Sequence, residues 1–377
     1  MSSLPRHFHR LAWIAVILTF GVIFLGGFTR LNNAGLSCPD WPTCYGKVTW
    51  PNDPHEIAKA NASFERAVEV GKAVYEQVHR HLAATLGLFV LALATLAARR
   101  RPQGLLTVYG GAALVVAAIF VYMHVDPALA LGLAGVGMVV WLIGLVRWDD
   151  GPTRLSMGLL MLVTFQALLG MWTVVWLVKP VIVMSHLMGG LLTFSLLTAL
   201  AWWTTPNAGR VHVDAPRLRV WLWIGLALLA VQIALGGWVA SNYAALACGL
   251  DFPKCKGAWW PATDFAEGFV LWRGIGVDYE GGVLDAAARA AIQIAHRIGA
   301  VIVSVYFVFL GLRLAFSPGF RTSGVLLLVL LVAQVGLGIG NVVLGLPLWV
   351  ATAHLMVAVV MLFTVVTLLA RLRSPGA

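Results

Sequence analysis

The sequence predicts an all-α integral membrane protein. Two pseudo-symmetric four-helix transmembrane bundles form a parallel internal repeat, with an inserted transmembrane hairpin at about 102–150. Three observations carry this. Of the 377 residues, 60% are hydrophobic and only 11% charged, whereas a soluble domain carries roughly 25% charged residues. Apolar runs long enough to cross a bilayer, about 20 residues each, recur along the chain. A set of motifs then appears twice at fixed offsets.

Eight strong spans are expected at 11–29, 79–98, 154–175, 181–203, 217–239, 293–314, 322–343 and 347–370. Two further stretches, 104–123 and 128–147, are also long enough. The first span follows Arg6 and Arg10 in the manner of a signal sequence. No small-residue cleavage pattern comes after it, so it reads as an uncleaved first helix.

The net charge of +10 would suit a nucleic-acid binder, but its distribution does not. The clusters are Arg6/Arg10, Arg99/Arg100/Arg101, Arg147/Arg154, Arg210/Arg217/Arg219, Arg313/Arg321 and Arg371/Arg373. With all ten stretches spanning, every cluster falls on one side. That is the positive-inside pattern. It places both termini in the cytoplasm of a bacterial inner membrane and the two long loops, 30–78 and 240–292, on the periplasmic side.

The repeat organises the rest. Gly26, Gly27 and Cys38 recur as Gly236, Gly237 and Cys248, an offset of 210 residues. His79-Arg80 recurs as His296-Arg297. Gln166, Gly170 and His186 recur as Gln334, Gly338 and His354, an offset of 168. Gln232 and Gly236 share the Q-x-x-L-G pattern of these last spans. Each half begins and ends on the same side, so the symmetry axis is expected along the membrane normal. The domains are thus 1–204 and 205–377. His79 to His186 spans 49 residues more than His296 to His354, which matches the hairpin inserted in the first half.

All four cysteines lie in the two long loops, in a compartment where disulfides persist. Four cysteines allow three connectivities. The local pairs Cys38–Cys44 and Cys248–Cys255 close the shortest loops and are the expected ones.

Ionisable groups within spans are costly and commonly functional. His79, His186, His296 and His354 each lie near the periplasmic end of a span, and each has a counterpart in the other half. Two facing imidazoles in a bundle core can ligate a flat metal macrocycle from both faces. Taken one at a time, each would read as a core histidine bonded to backbone; the duplicated pattern favours ligation. Zinc or copper would need further ligands that do not accompany either pair. His81 faces away from His79 and has no counterpart, Ile298 standing in its place. His124 falls in the hairpin turn, and His7, His9, His55 and His212 in polar segments.

Arg80 and Arg297 follow two of these histidines. They suit either a macrocycle's carboxylates or the headgroup layer. Glu76 shares a helix face with His79, and its counterpart is the uncharged Gln293. A carboxylate beside one macrocycle only suggests chemistry in the first half and electron passage in the second. Glu76 alone would read as an exposed acid favoured by a helix N-terminus.

The segments Gly26–Gly46 (GGFTRLNNAGLSCPDWPTCYG), Glu76–Arg80 (EQVHR), Phe165–Val174 (FQALLGMWTV), Ser185–Leu191 (SHLMGGL), Ala295–Arg297 (AHR) and Ala353–Met356 (AHLM) resemble the haem A synthases. The resemblance covers nearly the whole chain except 102–150. It implies oxidation of the C8 methyl of haem O to a formyl group, by successive hydroxylations with water as oxygen source. It further implies that His79 and His186 hold the substrate haem and that Glu76 is the catalytic carboxylate. His296 and His354 would hold a haem b cofactor. Expected partners are haem O, the farnesylating haem O synthase and an electron acceptor in the membrane; a homo-oligomer stays open. Two other readings remain at this point. A haem carrier or exporter explains the histidines but not the Glu76/Gln293 asymmetry. A disulfide-generating quinone oxidoreductase explains the cysteines but not the histidines, and the spacings are not those of tuned redox thiols.

Overall fold

A computed structural model describes residues 4–206 and 216–372; Arg210, His212 and Arg373 lie outside the described residues. It shows twelve helices: α1 (Phe8–Leu31), α2 (Pro54–Ser63), α3 (Val70–Ala98), α4 (Gly104–His124), α5 (Pro127–Arg147), α6 (Gly151–Val175), α7 (Pro180–Thr204), α8 (Pro216–Ser241), α9 (Phe265–Gly268), α10 (Ala286–Ala315), α11 (Arg321–Val343) and α12 (Leu348–Arg371). Ten of them, all but α2 and α9, are long and apolar enough to cross a membrane. The protein is a multi-pass membrane protein.

Helix ends follow local chemistry. Asp53 caps α2 by accepting from the Glu56 amide, with Pro54 at the first helical position. Asp126 does the same for α5 ahead of Pro127, and Asp285 caps α10. Short polar side chains at the N-cap satisfy amides that have no partner within the helix, and proline fits the first turn.

Two boundaries differ from expectation. Helix α3 begins at Val70 and α10 at Ala286, seven to nine residues before the apolar runs at 79 and 293. Both helices continue past their hydrophobic stretch into the loop region, because nothing in 70–78 or 286–292 breaks a helix. Glu76 therefore sits two turns inside α3 and is buried, at 5% exposure, rather than exposed at a helix start. The short helices α2 and α9, inside the long loops, carry too little periodicity to be read from sequence.

The chain forms two compact units. One comprises Met1–Thr19, Leu82–Ala167 and Leu192–Ala208, the other Phe20–His81, Leu168–Leu191 and Gly209–Ala377. Helices α1, α3, α6 and α7 each contribute one end to either unit.

The first unit holds the α4–α5 hairpin. Its helices close on each other where Gly111 receives the Trp141 indole, whose Nε1 donates to the Val108 carbonyl at 3.0 Å. Arg101 and Asp150 form an ion pair across the base of the hairpin.

The second unit holds all four repeat histidines, both disulfides and Glu76. The two long loops fold alike. Each has a disulfide, Cys38–Cys44 and Cys248–Cys255, and an isolated bridge just after it, Cys44 with Lys47 and Cys255 with Ala258. Each has an aspartate folded back onto the same turn. Asp40 accepts from Tyr45 N (2.6 Å) and Gly46 N (2.8 Å), and Asp251 from Gly257 N (2.6 Å). Gly46 and Gly257 have φ of 74° and 79°, where glycine avoids the steric cost of a side chain.

Contacts across the repeat pair the halves. Gly27 on α1 meets Leu355 on α12, and Gly237 on α8 meets Leu187 on α7. Arg66 of the first loop pairs with Glu280 (2.5 Å) and Asp278 (3.2 Å) of the second. Arg30 at the end of α1 donates to the Tyr243 hydroxyl (3.0 Å) and the Ala240 carbonyl (2.7 Å).

Candidate haem-ligating centres

Each of the four histidines is placed against a glycine of the preceding span. A methyl added at Gly26 on α1 would lie 2.7 Å from Cε1 of His79 on α3. The same test gives 3.4 Å for Gly170 and His186, 3.2 Å for Gly236 and His296, and 3.1 Å for Gly338 and His354. Three of these distances are tighter than ordinary packing allows, so the missing side chain is what admits the imidazole. The glycines were visible in the sequence as repeat markers; their task is to seat the ring.

His79 and His186 face each other with ring centres 6.4 Å apart and planes at 85°. A transition metal bonded to both, at about 2.0–2.1 Å per nitrogen, would separate the ring centres by roughly 6–6.5 Å. The observed pair meets that requirement. His296 and His354 lie within electrostatic range of each other, on α10 and α12 of the second half. All four rings are half-buried. Among the described residues no group of three or more His, Cys, Asp or Glu is placed to hold a metal ion, so each centre offers two imidazoles and no further protein ligand. That donor set suits a planar macrocycle that supplies the remaining coordination itself.

The partners of the second pair are amides. Gln232 Nε2 lies 3.1 Å from His296 Nδ1 and donates to the His296 carbonyl at 3.0 Å. Gln334 contacts both nitrogens of His354, through its carbonyl at 3.1 Å and its Nε2 at 3.3 Å. A partner at one ring nitrogen orients an imidazole whose other nitrogen is free for a metal; at His354 the Gln334 contact to Nε2 would have to open for that. The Q-x-x-L-G pattern marked these glutamines in the sequence without revealing their role. In the first span the same place is Val22.

Glu76 sits three residues before His79. Its Oε2 accepts from the Cys38 amide at 2.8 Å and its Oε1 pairs with Arg80 Nη2 at 2.6 Å. Arg80 also donates to the carbonyls of Cys38 (3.0 Å), Asp40 (2.8 Å) and Thr43 (2.7 Å). Arg297 repeats this clamp with the carbonyls of Asp251 (3.2 Å), Pro253 (3.1 Å) and Lys254 (2.9 Å). Both arginines thus grip the disulfide loops in this structure. The first loop has an anionic anchor in Glu76 that the second lacks. Gln293, in the equivalent place, is buried at 5% exposure.

His81 is exposed, and His124 ends α4 instead of lying in the turn. Lys179 went unnoticed in the sequence. It is fully buried between α6 and α7, with Nζ 3.4 Å from the centre of the Trp272 ring, and burial pushes its ammonium below the usual lysine range. The aromatic face offsets part of that cost.

The chain matches the cytochrome oxidase assembly protein family over residues 9–123 and 113–366. A haem A synthase of Shewanella oneidensis is 36% identical over 366 residues, covering 95% of this chain and 96% of that protein. Haem A synthases of Methylobacterium radiotolerans and a Chelativorans species are 28% and 26% identical, across 96% and 93% of this chain and 89% and 86% of their own lengths. With the histidine pairs, their glycine seats and the duplicated disulfide loops in place, the chain belongs to the cytochrome oxidase assembly protein family.

Proposed function

We propose that the protein is a haem A synthase that oxidises the C8 methyl of haem O to a formyl group, with water as oxygen source. The observation that carries this is the His79–His186 pair, 6.4 Å between ring centres, beside the buried carboxylate of Glu76, whose counterpart in the other half is the uncharged Gln293. His79 and His186 hold the iron of the substrate on both faces. That leaves the ring edge, not the metal, as the reacting part. His296 and His354 hold haem b, which supplies one-electron redox chemistry when bound.

Glu76 is the catalytic carboxylate of this reading. The Cys38 amide and Arg80 fix its position, so it need not reorganise as the methyl carbon becomes electron-deficient. Water adds to that carbon as two electrons leave for an acceptor in the membrane, and the remaining lone pairs of Glu76 take up one of the two protons released, as a positioned base does. Arg80 serves here as a positioning residue for Glu76 and the first disulfide loop. The positive-inside pattern supports cytoplasmic termini and disulfide loops on the periplasmic side of a bacterial inner membrane. The farnesylating haem O synthase is the expected source of substrate.

Pigment extraction tests the reading. Protein expressed without a source of haem O is expected to yield haem b alone. With that source, haem A or its hydroxylated precursor appears. Bound haem O recovered unchanged would instead make the protein a carrier.

A further inference from the structure

On the outward face of the second half, α8 and α10 part to leave a recess of about 330 Å³. Leu228 and Leu235 of α8, Ile302 of α10 and Phe265 of α9 form its walls. Val231 and Ile298 at its mouth are 60% and 45% exposed. In a ten-span protein, apolar side chains exposed at mid-helix face lipid. The recess therefore opens toward the bilayer just beneath α9 of the outer loop, within reach of a membrane-soluble ligand.

One polar side chain lines it. Gln232 spends its Nε2 on His296, while its Oε1 is buried without a hydrogen-bond partner. A buried acceptor without a donor is costly and calls for an explanation. A ligand hydroxyl supplies the donor. Gln232 thus touches His296 on one side and the recess on the other.

The first half does not repeat this feature. The repeat offset places Val22 at the position of Gln232 and Leu82 at that of Gly299. Gly299 faces Gln232 closely enough that a side chain there would displace the amide. The second half thus has both the opening and the acceptor, and it is the half assigned to electron passage.

We propose that this recess binds the head group of a membrane quinone couple, that the hydroxyl of the reduced form, the quinol, donates to Gln232 Oε1, and that the oxidised form is the electron acceptor of the reaction. This rests on the haem A synthase reading. The balance closes. The methyl loses a C–H bond and gains a C–O bond from water, releasing two electrons and two protons. One quinone takes up both and becomes a quinol. A second quinone serves the second hydroxylation, and the resulting gem-diol loses water to give the formyl group. A lipid acyl chain would fill the walls but could not satisfy the amide.

The test uses the full-length haem b-loaded protein in quinone-free nanodiscs. A photoreactive azidobenzoquinone is added and labelled peptides are mapped; separately, a decyl-tailed benzoquinol is mixed in without oxygen and haem b reduction is followed optically. Labelling within 228–235 and 295–303, with quinol reducing the haem, is expected. Gln232→Val, which restores the first-half residue, should slow reduction about tenfold, the loss of roughly one hydrogen bond. Because Gln232 also contacts His296, Val231→Trp, which plugs the mouth without touching His296, is the variant expected to keep its haem and to slow reduction as strongly. Labelling elsewhere, displacement of the label by excess phospholipid alone, or undiminished reduction in whichever variant keeps its haem would overturn the proposal. If wild-type protein converts haem O yet ignores quinone, the acceptor assignment falls and the synthase reading stands. If quinol reduces the haem but haem O is never converted, the synthase reading falls instead.

Discussion

On the proposed haem A synthase reading, four imidazoles and one carboxylate carry the chemistry, and single substitutions separate their tasks. His186→Ala is expected to abolish retention of haem O while leaving the haem b absorbance intact. His354→Ala should do the reverse, removing the haem b band from purified protein; pyridine haemochrome spectra distinguish the two. Glu76→Gln keeps the volume and a hydrogen-bonding oxygen but removes the charge facing Arg80. Haem O should then accumulate unconverted in the extracted pigment. Formation of haem A at the wild-type rate would remove Glu76 from the mechanism. Arg80→Ala acts differently, because it strands a buried carboxylate and three loop carbonyls at once. Breaking a buried pair costs about 3–5 kcal/mol, so thermal unfolding should shift markedly downward. Arg297→Ala strands no carboxylate and should shift it less.

Helices set the rings by omission. The Gly26 notch in α1 admits His79, while Gly21, one and a half turns earlier, has nothing within 4 Å of a would-be methyl. Gly26→Ala should therefore displace His79 and lower haem O retention, whereas Gly21→Ala should be neutral or slightly stabilising, by up to about 1 kcal/mol from helix propensity. Equal loss from both substitutions would show that helix flexibility, not ring seating, is at stake. The spans, the repeat, the histidine pairs and the disulfide partners were legible in the sequence because each leaves a periodic or duplicated trace. The start of α3 at Val70 was not, since its first turns are amphipathic and read as loop. With that start hidden, Glu76 taken alone reads as an exposed acid, and only its contrast with Gln293 and the family resemblance single it out. The arginine clamps were equally hidden, because a guanidinium bonded to loop carbonyls depends on how a long loop folds back. Lys179 carried no periodic mark; only the folded second loop brings Trp272 over it.

At the scale of the whole chain, the four candidate ligand histidines all belong to one compact unit and the inserted hairpin to the other. Arg101 and Asp150 meet at the hairpin's base, so excising the residues between them leaves ends that are already adjacent. The shortened protein is expected to keep an unshifted haem b spectrum. A lost or shifted band would show that the hairpin shapes the ligand pairs after all. Between the halves, the leucine after each second histidine, Leu187 after His186 and Leu355 after His354, is wedged into a glycine notch of the opposite half. Tunnelling falls off exponentially with the gap an electron must cross. Side chains locked into notches hold that gap constant instead of letting it breathe. Electron passage from one half to the other should then be indifferent to solvent viscosity in flash photolysis, while Leu355→Ala, by unseating one wedge, should make it viscosity-dependent.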